Sequence, residues 1–312
     1  MFVGEDRHLR RRRLQGAVLG RAEPPGLEPP PPRAVHGRLL DASPQLLTIA
    51  TEGGHRRFTL TTESKAWYRR PVAPVDLRPG SYVVLRRHPS GPEVVDRVWA
   101  DITRVTGTIL RRDREGVVID AGHTRGRQVV TIPYRASGRI QVRHPKLEPG
   151  YLFDAIGVRT ADGVEALLPA TSQPPHRADA VPPRGRPRNR TRSLGGTVTW
   201  FDPGPGGPAH GAAYPAVARD DCGEVCDRVR PTTLPVLALG SRVALRNDCT
   251  GVRAALLVAA CASAASRFTD RCVSCGTSPR GRVAELTALS YVDMGGELDQ
   301  GCFNASMHLG ER

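Results

Sequence analysis

Two copies of one pattern, displaced by 70 residues, limit what the first half of this chain can become. His36-Gly37-Arg38-Leu39-Leu40 returns as Thr106-Gly107-Thr108-Ile109-Leu110, and Leu47-Thr48-Ile49 as Val117-Val118-Ile119. Leu77-Arg78-Pro79-Gly80 returns as Leu147-Glu148-Pro149-Gly150. A fixed displacement of this kind marks one structural unit used twice. Within the copies, runs such as Arg57-Phe58-Thr59-Leu60-Thr61, Tyr82-Val83-Val84-Leu85 and Val129-Val130-Thr131-Ile132 are short and end at Gly, Pro or Asp turns. That is the period of half-buried strands. Each Leu-x-Pro-Gly step sets a tight turn at a barrel corner. Residues 34–102 and 103–170 therefore read as two small antiparallel barrels of about five strands each, comparable to an OB-fold.

What flanks the copies has a different composition. Residues 1–33 carry Arg10-Arg11-Arg12-Arg13 and Pro29-Pro30-Pro31-Pro32, and read as a disordered basic, proline-rich tail. The apolar run Leu14 to Gly20 is broken by Gln15 and Gly16, so it makes a poor secretory signal. Residues 171–194 hold six Arg against one Asp among prolines, which suits an extended tether. No apolar run approaches the roughly eighteen residues of a membrane-spanning helix.

The net charge of +14 is uneven: residues 195–312 sum to −1, and only Lys65 and Lys146 are lysines. A solubilising basic surface, suited also to an anionic cell wall, is the simpler reading than a nucleic-acid face. Binding single strands requires aromatic platforms along a basic groove. Trp67, Tyr68, Tyr82 and Trp99 of the first copy are not matched place for place by Tyr134, Tyr151 and Phe153 of the second, Tyr82 beside Tyr151 and Phe153 apart. They read as core or edge residues, and nucleic acid is not the expected partner.

All seven cysteines (Cys222, Cys226, Cys249, Cys261, Cys272, Cys275 and Cys302) fall in the C-terminal module. Such clustering points to a disulfide framework and an oxidising compartment. The connectivity stays open, with local pairs Cys222/Cys226 and Cys272/Cys275 among the alternatives. The rival is structural zinc held by those same two half-sites. Their wide separation and the three further cysteines count against it. No Rossmann fingerprint, phosphate loop or Ser-His-Asp set is present.

The same module carries the chemistry. Arg267-Phe268-Thr269-Asp270-Arg271-Cys272-Val273-Ser274-Cys275 places one carboxylate between a strand-like run and a tight Cys-x-x-Cys turn. Val283 to Tyr291 reads as a short amphipathic helix, stopped by Gly295-Gly296. Upstream lie Gly196-Thr197-Val198-Thr199-Trp200-Phe201-Asp202-Pro203 and the Leu234-Pro235 to Leu245 segment, with Gly240 before a strand. In this order the four pieces resemble the double-psi β-barrel of expansin-like and barwin-like wall proteins, which the rare-lipoprotein-A-like septal lytic transglycosylases share. The resemblance covers residues 195 to 310.

It implies a six-stranded double-psi barrel, an extracytoplasmic place at the cell wall, a glycan or peptidoglycan partner and no cofactor. It further implies an open groove in which Asp270 is the acid, with Asp202 a candidate second carboxylate. Thr199, Trp200 and Thr269 are the implied substrate contacts. Apolar walls would raise the Asp270 pKa and let it protonate a glycosidic oxygen. The bland alternative is that Asp270 caps the Cys272 turn. Three departures stand out. No histidine precedes Leu234-Pro235, and His210 lies too far upstream to serve. Glu285 occupies a place where these families usually have Asp. An apolar segment, 254–265, interrupts the run leading to Asp270.

The resulting expectation is an all-β chain: two OB-like barrels in tandem, then a double-psi barrel that binds or loosens wall polysaccharide or peptidoglycan, or cleaves it weakly through Asp270 as a lytic transglycosylase or glycoside hydrolase does. The competing expectation is an intracellular nucleic-acid-binding protein with a zinc-stapled tail.

Overall fold

The structure is a computed structural model that describes residues 32–122, 125–180, 193–204, 206–218, 221, 234–262 and 264–308. The basic tail up to residue 31, linker residues 181–192, Cys222 and Cys226 lie outside the described residues.

The first copy supplies β1 (Ala34–Ala42), β2 (Leu46–Thr51), β3 (Gly54–Tyr68), the short β4 (Arg70–Val72), β5 (Tyr82–Arg87) and β6 (Val94–Ala100). Five of them close in the order β1-β2-β3-β6-β5, with β4 appended to the end of β3. The second copy supplies β7 (Ile102–Arg112), β8 (Gly116–Asp120), β9 (Arg127–Thr131), β10 (Leu152–Thr160) and β11 (Gly163–Pro169). They close as β7-β8-β9-β11-β10, the same connectivity. Both rings are antiparallel except at one seam, β3 with β6 and β9 with β11. An odd number of strands cannot alternate direction all the way round, so one parallel pair is obligatory. Helix α1 (Tyr134–Arg143) bridges β9 to β10, where the first copy has β4 and a 3-10 turn, Pro74–Asp76.

The repeat persists down to single hydrogen bonds. Gly80 N–H donates to the Leu39 carbonyl at 2.7 Å, and Gly150 N–H donates to the Ile109 carbonyl at 2.8 Å. Gly80 and Gly150 have φ of 90° and 88°, which glycine alone adopts without strain. A Cβ on Gly37 would sit 2.3 Å from the Ala50 carbonyl oxygen, and one on Gly107 2.1 Å from that of Asp120. Each glycine lets two strands approach at the same corner of its barrel.

The third barrel comprises β12 (Ser193–Phe201), β13 (Ala212–Tyr214), β14 (Arg242–Asn247), β15 (Arg253–Cys261), β16 (Arg282–Thr287) and β17 (Cys302–His308). It closes in the order β12-β16-β13-β15-β14-β17. β12 runs parallel to β16 and β13 parallel to β15, while the other four pairs are antiparallel. Exchanging the first three strands with the last three leaves this set of pairings unchanged. The barrel thus carries an internal two-fold pattern that no sequence repeat announces.

Three local expectations are corrected. Residues 282–287 form a strand, and the helix α2 is confined to Ala288–Asp293, capped by the Thr287 side chain. Every residue of β16 is buried, so its apolar positions fit a helical period by coincidence. The apolar segment near 254–265 is no interruption, because most of it is the barrel strand β15. No strand forms at 267–269: a 3-10 turn, Ala265–Arg267, leads into irregular chain.

Disulfides join Cys249 to Cys275 and Cys272 to Cys302, with Cα–Cα distances of 5.3 and 6.0 Å. Cys261 is disulfide-bonded as well. A local Cys272/Cys275 pair is thereby ruled out, and neither sulfur is a thiolate available to zinc. No described helix is long and apolar enough to cross a membrane.

One cluster of buried apolar side chains runs through all three barrels. It includes Trp67 and Trp99 of the first, Ile156 and Leu167 of the second, and Val198, Trp200 and Leu286 of the third.

Candidate functional site: carboxylates at the barrel interface

The residues singled out from sequence divide into three groups. Trp200 and Thr199 lie on β12 with no exposed surface. Trp200 points into the shared core and donates its Nε1–H to the Leu298 carbonyl at 2.9 Å. Neither is a surface contact, because β12 is covered on both sides. Asp202, just beyond β12, pairs with Arg159 of the second barrel and accepts a hydrogen bond from Thr103 at 2.9 Å. Asp270 and Thr269 lie together on the irregular stretch before Cys272.

Asp270 is 5 % exposed, so the expected open groove is absent at this carboxylate. Its Oδ1 accepts from Arg282 Nε at 3.2 Å. Its Oδ2 accepts from Arg282 Nη2 at 3.0 Å and from the Thr171 hydroxyl at 2.7 Å. Both oxygens are occupied, and in this conformation neither can deliver a proton to a ligand. Gln173 Oε1 accepts from the Thr269 N–H at 2.5 Å, and the Ser172 hydroxyl donates to the Arg271 carbonyl at 2.9 Å. Residues 171–173 belong to the segment expected to be a free tether. Instead they lie across Thr269-Asp270-Arg271, with Thr171 and Gln173 buried.

Arg282 opens β16 and is fully buried. Besides Asp270 it pairs with Asp154 of β10, and its guanidinium carbon stands 3.9 Å above the centre of the Phe268 ring. Asp154 also receives Arg104 Nε at 2.9 Å, Arg104 Nη2 at 2.7 Å and the Thr106 hydroxyl at 3.0 Å. Burial alone would raise the Asp154 pKa, but Arg104 and Arg282 hold its carboxyl well below the usual range. Opposing contributions of the same kind leave the Arg282 guanidinium firmly charged, its desolvation outweighed by Asp154 and Asp270.

Glu285, three residues further along β16, has no exposed side-chain surface. Arg125 of the second barrel pairs with its Oε2 at 2.6 Å, and the Thr199 hydroxyl lies 3.5 Å from Oε1. Arg125 itself rests 4.4 Å above the centre of the Phe201 ring. Arg282 Nη1 has no hydrogen-bond partner and stands 3.8 Å from Glu285 Oε1. The cluster thus comprises Asp270, Arg282 and Glu285 from the third barrel, closed over by Arg104, Arg125, Asp154 and Thr171. Unpaired buried charges are costly, and this one is largely neutralised internally.

The motif pattern in the sequence marks Glu285 only as a departure and does not point to Arg104, Arg125, Asp154 or Arg282. For Asp154 a signal existed: an acid inside Leu152-Phe153-Asp154-Ala155-Ile156 requires a buried partner. No protein-family model and no curated protein matches this chain.

Proposed function

We propose that this chain is an extracytoplasmic protein of expansin-like type that binds or loosens cell-wall polysaccharide without cleaving it. The two-fold pairing pattern of the third barrel carries this reading. The resemblance implies a closed six-stranded barrel, and closure with β12 parallel to β16 and β13 parallel to β15 is compatible with it. Disulfides at Cys249–Cys275 and Cys272–Cys302 support an oxidising compartment. The engaged state of Asp270, Asp202 and Glu285 supports binding over hydrolysis. Acid catalysis at a glycosidic bond needs a carboxyl within reach of the leaving oxygen, and hydrolysis ordinarily needs a second. Each of these three is instead tied into the contact between barrels, and Asp270 is paired in addition with Arg282 of its own barrel.

The test is co-sedimentation of the full chain with insoluble peptidoglycan, followed by chromatography of the supernatant. The expected result is saturable pelleting with no released sugar fragments. Release of fragments that Asp270→Asn abolishes would make the protein a lytic enzyme. Failure to pellet with any wall polymer would remove the reading altogether.

A further inference from the structure

The groups that cover the carboxylates of the third barrel have one source. Thr171 caps Asp270, Gln173 binds the Thr269 N–H, and Ser172 binds Arg271 at both its carbonyl and its N–H. All three belong to the chain leaving β11. Arg125, on the β8–β9 connection, closes Glu285. A third contact, Arg159 on Asp202, comes from the end of β10. Every acid with a candidate role in the third barrel is therefore met by a side chain from the second barrel or its exit.

The covering groups also have the chemistry of a ligand. Thr171 presents a hydroxyl donor to a carboxylate, as a sugar hydroxyl does. Gln173 presents an amide carbonyl to a backbone N–H, as an acylated amino group does. Arg125 presents a cation to Glu285. A strand-to-strand contact made only for stability would be expected to be apolar, since a buried ion pair is weak evidence of stabilisation. Here the contact is polar just where the acids lie and apolar around them, with Ile156 and Leu167 packed against the core of the third barrel.

We propose that Arg125 and residues 171–173 are a built-in occupant of the third barrel's binding site, holding it closed until a polyhydroxylated, amide-bearing chain displaces them. The proposal rests on the wall-binding reading for the identity of the ligand, but not for the cover itself. Opening exchanges internal hydrogen bonds for equivalent ones to the ligand, so its cost falls only where such a ligand is present. The orphaned Arg282 Nη1, beside Glu285, is a donor that the internal occupant leaves unused.

The experiment uses the full chain with Arg125→Ala and Thr171→Ala combined, and Gln173→Ala alone as a milder variant. Carbodiimide with an amine nucleophile labels accessible carboxylates, and mass spectrometry reads Asp270 and Glu285, with the exposed Asp179 as internal standard. Pelleting on peptidoglycan is measured on the same samples. Several-fold greater labelling of both acids in the variants, with tighter pelleting than wild type, is the expected result. Labelling that rises while no chain pellets retires the wall reading and leaves the cover standing. Wild-type labelling of Asp270 and Glu285 equal to that of Asp179 overturns the proposal. So does labelling left unchanged in both variants.

Discussion

Arg282 has no exposed side-chain surface, yet its guanidinium reaches Asp154 of the second barrel and Asp270 of its own. Removing it leaves Asp270 buried without a cation and Asp154 with Arg104 as its only one. Arg282→Met should therefore cost about 3–5 kcal/mol, read as a lowered urea midpoint, because breaking a buried pair leaves an uncompensated charge. A loss within a few tenths of a kcal/mol would show that the cluster is hydrated. Acidity should act on the same residues. Asp154 is depressed by Arg104 and Arg282, so its contribution is complete above the ordinary carboxylate range of about 4 and is lost as pH falls towards its depressed value. Burial also lowers the His144 pKa. Below about 6.5 the unfolded chain takes up a proton there that the folded chain refuses, which likewise removes stability. The melting temperature should decline steadily from pH 7 to pH 3, and a flat profile would contradict both assignments. Asp154 could be recognised as needing a partner from its apolar neighbours. Arg282 could not be named as that partner, since 128 residues separate them and no local pattern encodes such a pairing.

Among the elements, glycines distinguish steric need from mere tolerance. A Cβ on Gly107 would meet the Asp120 carbonyl oxygen at 2.1 Å, so Gly107→Ala should force β7 and β8 apart at a cost of roughly 1–3 kcal/mol. Gly138, exposed in α1, has nothing within 4 Å of its Cβ position. Gly138→Ala should stabilise the chain by roughly 0.5–1 kcal/mol through helix propensity. Thermal melts of the two variants should move in opposite directions. The strands and turns of the repeat were legible because alternation and Pro-Gly corners are local signals. β16 was not, because a strand buried on both faces has no alternation to read. Helix α1 went unseen for a related reason: only Ala136 and Ile140 of its residues are buried, too few for a helical stripe.

At the scale of the whole molecule, three barrels share one apolar cluster and a chain of ion pairs. Glu297 and Asp299 receive Arg86, Arg97 and Trp99 from the first barrel, as Glu285 and Asp270 are met from the second and its exit. The first two barrels could be read from the repeat and its strand period, and the third was implied only by the resemblance of four segments to a known barrel family. Their mutual burial could not be read, because strand patterns report which face is apolar and not which neighbour covers it. Covering of the third barrel's carboxylates by the second is tested most directly by amide hydrogen exchange on the intact chain. The peptide spanning 268–271, whose Thr269 and Arg271 amides are bound by Gln173 and Ser172, should be protected to the level of the strands β10 and β12, since exposing it requires that cover to lift. Exchange of 268–271 orders of magnitude faster than those strands would show that the site stands open in solution, and would contradict the closed interface.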